Sequence, residues 1–197
     1  MTKKILAAVI TGALLGYFVV PEEFLQYIGT IMDIGLCALL FFVGIDLGKN
    51  KEVFVQIREL GMGIVALPFV VAAGSIFGAI IVGIFAGYAP NESAAIGSGF
   101  AWYTLAPIII APYSAEISAV AFLSNVTREV TAILMIPFIA QKIGYLEAVS
   151  TTGAAGMDTL LPVVSKATDP KTAIICFVNG VVLTMLVPVL VSFFIQL

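Results

Sequence analysis

The 197-residue sequence has no histidine, two cysteines, and charge on only 11% of its residues. Each scarcity removes a class of function. Without histidine there is no imidazole metal ligand, no histidine general base and no Ser-His-Asp triad. Cys37 and Cys176 stand singly inside apolar runs, which excludes the clustered spacing of a zinc or redox site and fits small buried hydrophobes. Nine basic and twelve acidic residues give a net charge of −3. No basic run offers a surface for nucleic acid. No GxxxxGK[ST] loop is present, so the chain does not itself hydrolyse ATP. A soluble domain carries about a quarter charged residues. Here 61% of residues are hydrophobic and the mean hydropathy is +1.14, which excludes a water-soluble fold.

What remains is long apolar runs. Gly61 to Asn91 carries no acidic or basic side chain, and neither does the tail from Thr172 to Leu197. Each run exceeds the roughly 20 residues that cross a bilayer. The sequence predicts an all-α integral membrane protein, a single transport domain over residues 1–197. Five full crossings are expected at about 5–20, 24–45, 58–88, 116–141 and 172–197. The first resembles a signal peptide, with Lys3 and Lys4 before an apolar stretch, but Pro21-Glu22-Glu23 leads directly into a second apolar segment. With Lys3 and Lys4 inside, Lys49, Lys51 and Arg58 return to the same side after two crossings, which obeys the positive-inside rule. A multi-pass place in the cytoplasmic membrane is expected, with the N-terminus on the inner side and the C-terminus outside.

Two further apolar segments are interrupted. Residues 93–111 contain Gly97-Ser98-Gly99-Phe100-Ala101-Trp102-Tyr103-Thr104-Leu105-Ala106-Pro107. Residues 146–165 contain Gly153-Ala154-Ala155-Gly156-Met157-Asp158-Thr159-Leu160-Leu161-Pro162. Both close on Thr-Leu-x-Pro, and Thr104 to Pro107 aligns with Thr159 to Pro162 at an offset of 55 residues. Asn125 ahead of Pro137 and Asn179 ahead of Pro188 continue the repeat loosely. Paired broken hydrophobic segments mark transporter folds built from inverted repeats. The repeat units run from about 93 to 141 and from 146 to 197. If the segments are re-entrant, Lys142, Lys166 and Lys171 all fall inside. Non-helical backbone at membrane depth survives only beside protein or a water-filled cavity, so these segments point to the substrate site.

A few charges lie where charge is expensive. The crossing at 116–141 is centred on Arg128 and Glu129, and each charge at a helix centre costs about 2.5–3.5 kcal/mol on insertion scales. Asn125, Arg128 and Glu129 share one broad helix face. Adjacent residues diverge by about 100°, so Arg128 and Glu129 are expected to meet separate partners. Asp158 lies inside the second broken segment, where it either N-caps a half-helix or binds an ion. Glu129 and Asp158 are the main candidates for cation or proton binding. Tyr103 aligns with Asp158 in the repeat. Trp102 can face a cationic group or anchor at the interface. Ser98 and Asn179 are candidate pore-lining polar groups, and Asp33 is a candidate partner for Arg128.

Taken together, Phe42-Val43-Gly44-Ile45-x-Leu47-Gly48, Gly97-Ser98-Gly99-Phe100-x-Trp102-Tyr103, Arg128-Glu129 and Gly153-Ala154-Ala155-Gly156-Met157-Asp158-x-x-Leu161-Pro162 resemble the bacterial lysine exporter family of the LysO type. The resemblance implies export of L-lysine and related cationic amino acids, coupled to proton influx. It places two transport acids at Glu129 and Asp158. It also implies that this chain matches the C-terminal two-thirds of longer members, completed by a small membrane subunit or by a homo-oligomer. Arg128 fits such a substrate only on a structural carboxylate or facing the α-carboxylate. Two other readings stay open: a sodium- or proton-coupled transporter of an organic anion or cation, and a non-transporting membrane subunit. No enzymatic activity is expected, and no cofactor beyond a proton or sodium as coupling ion.

Overall fold

The computed structural model describes residues 62–197, together with the single positions Thr11 and Ile34. The chain divides into two compact units, Met1–Gly44 and Ile45–Leu197, and the fold below belongs to the second. Apart from those two positions, the crossings expected at about 5–20 and 24–45 lie outside the described residues, and so does Asp33.

Among the described residues there is no strand. Three of the described helices are long and apolar enough to cross a membrane: α1 (Met62–Ala86, of which Ala66–Ala86 qualifies), α4 (Ala115–Lys142) and α7 (Pro170–Ile195). They fall on the expected crossings at 58–88, 116–141 and 172–197. Two of the starts are capped. Ser114 Oγ accepts from Ile117 N ahead of α4, and Asp169 Oδ1 accepts from Thr172 N ahead of α7, with Pro170 opening the first turn. The helices differ in depth. Of the most apolar window in α7, 56% is buried, against 22% in α4 and 17% in α1, so α7 forms the centre of this unit. Phe69, Phe77 and Phe85 on α1, and Leu123, Leu134 and Phe138 on α4, present the apolar outer surface that a bilayer requires.

The two interrupted segments are broken helices. The first is α2 (Pro90–Gly97) and α3 (Leu105–Ile110); the second is α5 (Tyr145–Thr152), a 3-10 turn over Gly153–Met157, and α6 (Leu161–Ala167). The 55-residue offset seen in the Thr-Leu-x-Pro motif recurs in the architecture. Pro90 and Tyr145 open matching helices, Gly97 and Thr152 close them, and Ala115 and Pro170 open the long helices that follow. The motif itself sits at the start of α3 and of α6, where the chain resumes a helix after each break.

The breaks are held by specific bonds. Phe100 and Ala101 adopt φ of 46° and 72°, a left-handed conformation that costs a non-glycine residue roughly 1–2 kcal/mol. The amide of Asn125, buried on α4, compensates: its Oδ1 accepts from Ala101 N at 2.7 Å and its Nδ2 donates to Ala121 O at 2.8 Å. Gly99 leaves room for that amide, since a Cβ there would overlap it. The two breaks also touch. Ala154 N donates to Phe100 O at 2.7 Å, and Gly153, at φ 61°, lets the strands of backbone cross because a Cβ would run into the Phe100 carbonyl. At the end of the first segment away from the break, Tyr113 OH donates to Glu92 Oε1 at 3.2 Å, so a residue just past α3 sits beside the start of α2. At the other end of α4, a groove is lined by Pro137 and Gln141 of α4 and by Pro162 and Lys166 of α6. The end of α6 therefore lies beside the end of α4, from which α5 departs.

Candidate functional site

A cavity of about 110 Å³ opens where the two breaks meet. Its wall is made of residues 101–104 from the first segment, Ala154, Ala155 and residues 157–159 from the second, Glu129 from α4 and Thr184 from α7. Eight of these residues form four pairs at the 55-residue offset: Trp102 with Met157, Tyr103 with Asp158, Thr104 with Thr159, and Glu129 with Thr184. The cavity is thus built twice over from the same positions of the repeat, and its chemistry comes from where the two copies differ. One carboxylate is contributed by each copy, Glu129 by the first and Asp158 by the second.

Local contacts orient the wall. The Tyr103 ring packs edge-on against Phe122 of α4, with centroids 6.2 Å apart and an interplanar angle of 88°. Thr184 Oγ1 donates to Met157 Sδ at 3.4 Å, which ties α7 to the second break. Gly180, one turn earlier, allows α7 to approach the backbone of Met157, because a Cβ would meet Met157 N. Asp158 does not cap α6. That role falls to Leu160, with no side-chain bond, while Asp158 Oδ1 accepts only from the adjacent Thr159 N. Its carboxylate is otherwise exposed toward the cavity, whereas Glu129 is half-buried. The Thr159 hydroxyl is buried in the wall with no hydrogen-bond partner among the described residues.

Of the residues singled out from the sequence, Glu129, Asp158, Trp102 and Tyr103 come together here. Arg128, Asn125, Ser98 and Asn179 do not line the cavity. Arg128 turns to α1, where its Nη1 donates to Ser75 Oγ at 2.6 Å, and that hydroxyl donates to Gly97 O at 2.8 Å. The guanidinium therefore serves the carbonyl end of α2, where positive charge is favourable. Asn125 braces the first break, and the buried Ser98 hydroxyl bonds back to Ala94 O at 2.8 Å. Asn179 is buried in α7, its amide unpartnered among the described residues. Thr104, Thr159, Thr184 and Met157 join the wall without having been singled out. The offset carried the signal: applied to Glu129 it lands on Thr184. Among the described residues no three His, Cys, Asp or Glu side chains gather into a group able to hold a metal ion.

The family model described as "Lysine exporter LysO" matches residues 6–195. The chain belongs to the lysine exporter LysO family. A family relative from Escherichia coli (strain K12), named "Lysine exporter LysO", is 32% identical over 172 residues, 87% of this chain. The chain spans 57% of that relative's length. A relative from Haemophilus influenzae (strain ATCC 51907 / DSM 11121 / KW20 / Rd), named "Putative lysine exporter", is 29% identical over 197 residues, covering 98% of this chain and 97% of the relative. No solved structure matches.

Proposed function

We propose that this chain is a secondary transporter that exports L-lysine and related cationic amino acids across the cytoplasmic membrane in exchange for protons. The observation that carries the reading is the cavity at the crossing of the two broken helices, with Glu129 and Asp158 in its wall and no basic side chain from the described residues. Such a lining attracts a cation, and its cost at membrane depth makes a structural purpose a poor explanation for two carboxylates. The names carried by the relatives supply the substrate.

The chemistry of exchange follows from the carboxylates. An ionised Glu129 or Asp158 accepts charge-assisted hydrogen bonds from an ammonium group. A protonated one has lost the charge that held it. Lysine and protons therefore compete for the same oxygens, and a proton arriving from one side displaces the substrate held from the other. Trp102 adds a ring face on which an ammonium group can rest. Thr104, Thr159 and Thr184 add hydroxyl acceptors.

The same reading accounts for the repeat. If α2–α3 starts and ends on one side and α5–α6 on the other, the two hairpins dip toward each other and meet at the bond between Ala154 N and Phe100 O. Their tips close the cavity from opposite faces, and rocking one repeat against the other exposes it alternately. The positive-inside rule assigns the end of α4 that carries Lys142, with Lys166 and Lys171, to the cytoplasm. The C-terminus then lies outside.

The direct test is reconstitution. Proteoliposomes loaded with radiolabelled lysine and given an inwardly directed proton gradient should release it, and collapsing the gradient with an ionophore should slow release to the level of empty-lipid controls. Release that ignores the gradient refutes the coupling; no release by the intact chain refutes the transport reading.

A further inference from the structure

Lysine brings three charged groups to a binding site, two ammonium groups and one carboxylate. The described wall of the cavity carries full charge of only one sign. It holds Glu129 and Asp158 and no lysine or arginine. A site that grips a carboxylate by ion pairing places a guanidinium or ammonium against it, most often a bidentate arginine. Arg128 is the obvious candidate, next to Glu129 in the chain and at the same membrane depth. Its guanidinium is committed elsewhere, to Ser75 Oγ at 2.6 Å and through that hydroxyl to the end of α2. The rest of the wall suits the aliphatic part of a ligand and its N–H groups. Trp102 and Met157, matched by the repeat, give apolar surface. The buried Thr159 hydroxyl, unpartnered among the described residues, has lone pairs free to accept from an ammonium N–H and one O–H to donate.

We infer that the cavity recognises two ammonium groups joined by a short aliphatic chain, and that α,ω-diamines and lysine derivatives without a free carboxylate are substrates beside lysine itself. The inference rests on the reading of this cavity as the transport site and adds the class of ligand it takes. Removing the carboxylate from lysine raises the ligand's charge from +1 to +2, which matches two ionised carboxylates better and removes a group for which the described wall has no counter-charge.

Trp102 is the single tryptophan of the sequence and lies in the cavity wall, so its fluorescence reports binding directly. The purified full chain is titrated with L-lysine, 1,5-diaminopentane, L-lysine amide and L-norleucine, and the same compounds compete in lysine efflux from proteoliposomes. The diamine and the amide should bind as tightly as lysine or within about fivefold of it, the span of a weak, screened charge pair. Norleucine, which lacks the side-chain ammonium, should bind at least about tenfold more weakly, as should the diamine to Glu129→Gln or Asp158→Asn. If lysine binds and is exported while the diamine and the amide are each weaker by about tenfold or more, the carboxylate is recognised and the inference fails, leaving the transport reading intact. Binding of the diamine without binding of lysine upholds recognition of two ammonium groups but overturns lysine export, and with it the claim that diamines are carried beside lysine. If none of the four compounds binds, both fall.

Discussion

Asn125 and Gly180 occupy matching positions 55 residues apart, and they support the two breaks in opposite ways. Asn125 spans the gap to Ala101 N with a side-chain amide, while Gly180 removes its side chain so that the backbone of Met157 can close on α7. Replacing Asn125 by alanine leaves a buried N–H without a partner, which costs about 1–3 kcal/mol. Its thermal unfolding midpoint in detergent, followed by Trp102 fluorescence, should fall accordingly. Gly153→Ala adds a methyl group that overlaps the Phe100 carbonyl and imposes a left-handed φ on alanine. It should be the more damaging change, with a larger drop in midpoint and loss of ligand binding, because it pushes apart the two segments that form the cavity. At this scale the sequence was legible where charge was expensive. Glu129 and Asp158 stood out because a carboxylate in an apolar run needs a reason. The partner of Arg128 did not, since Ser75 is a small uncharged residue in the charge-free stretch from Gly61 to Asn91. Nothing in a serine at that position announces a guanidinium 53 residues away.

At the scale of elements, the repeated Thr-Leu-x-Pro was readable because proline and threonine mark the point where a helix restarts, and both copies do so at α3 and α6. The crossings at 58–88, 116–141 and 172–197 were readable from apolar length alone. Where each interrupted segment ends was not, because apolar composition is the same for a hairpin and for a full crossing. The contacts bear on that choice. Tyr113 lies against Glu92, and Gln141 shares a groove with Lys166. Single cysteines placed at Glu92 and Tyr113, in a chain with Cys37 and Cys176 replaced by alanine, should react with a membrane-impermeant maleimide from the outside of intact cells. Cysteines at Lys142 and Lys166 should react only after the membrane is opened. Labelling of positions 92 and 113 from opposite faces would mean that the first segment spans.

For the whole molecule, the scarcity of charge noted at the outset becomes a division of labour. Glu92 and Glu116 lie toward one end of α4, Lys142, Lys166 and Lys171 together with Glu147 and Asp169 toward the other, Arg128 braces α2 through Ser75, and Glu129 and Asp158 line the cavity between the repeats. That last pair defines the account, since it assigns one pair of carboxylates to both lysine and protons. Asp158→Asn and Glu129→Gln should each reduce gradient-driven lysine release at least about tenfold, the loss expected for a charged hydrogen-bonding partner, while the purified variants keep the unfolding midpoint of the parent. The most direct measurement is calorimetric titration of the purified chain with lysine in buffers of different ionisation enthalpy, which counts protons released on binding. The account predicts that lysine binding releases protons, with affinity rising as pH rises, and that the release is lost in Asp158→Asn or Glu129→Gln. Lysine binding that releases no proton at any pH between acid and neutral, or release that persists in both variants, would contradict it.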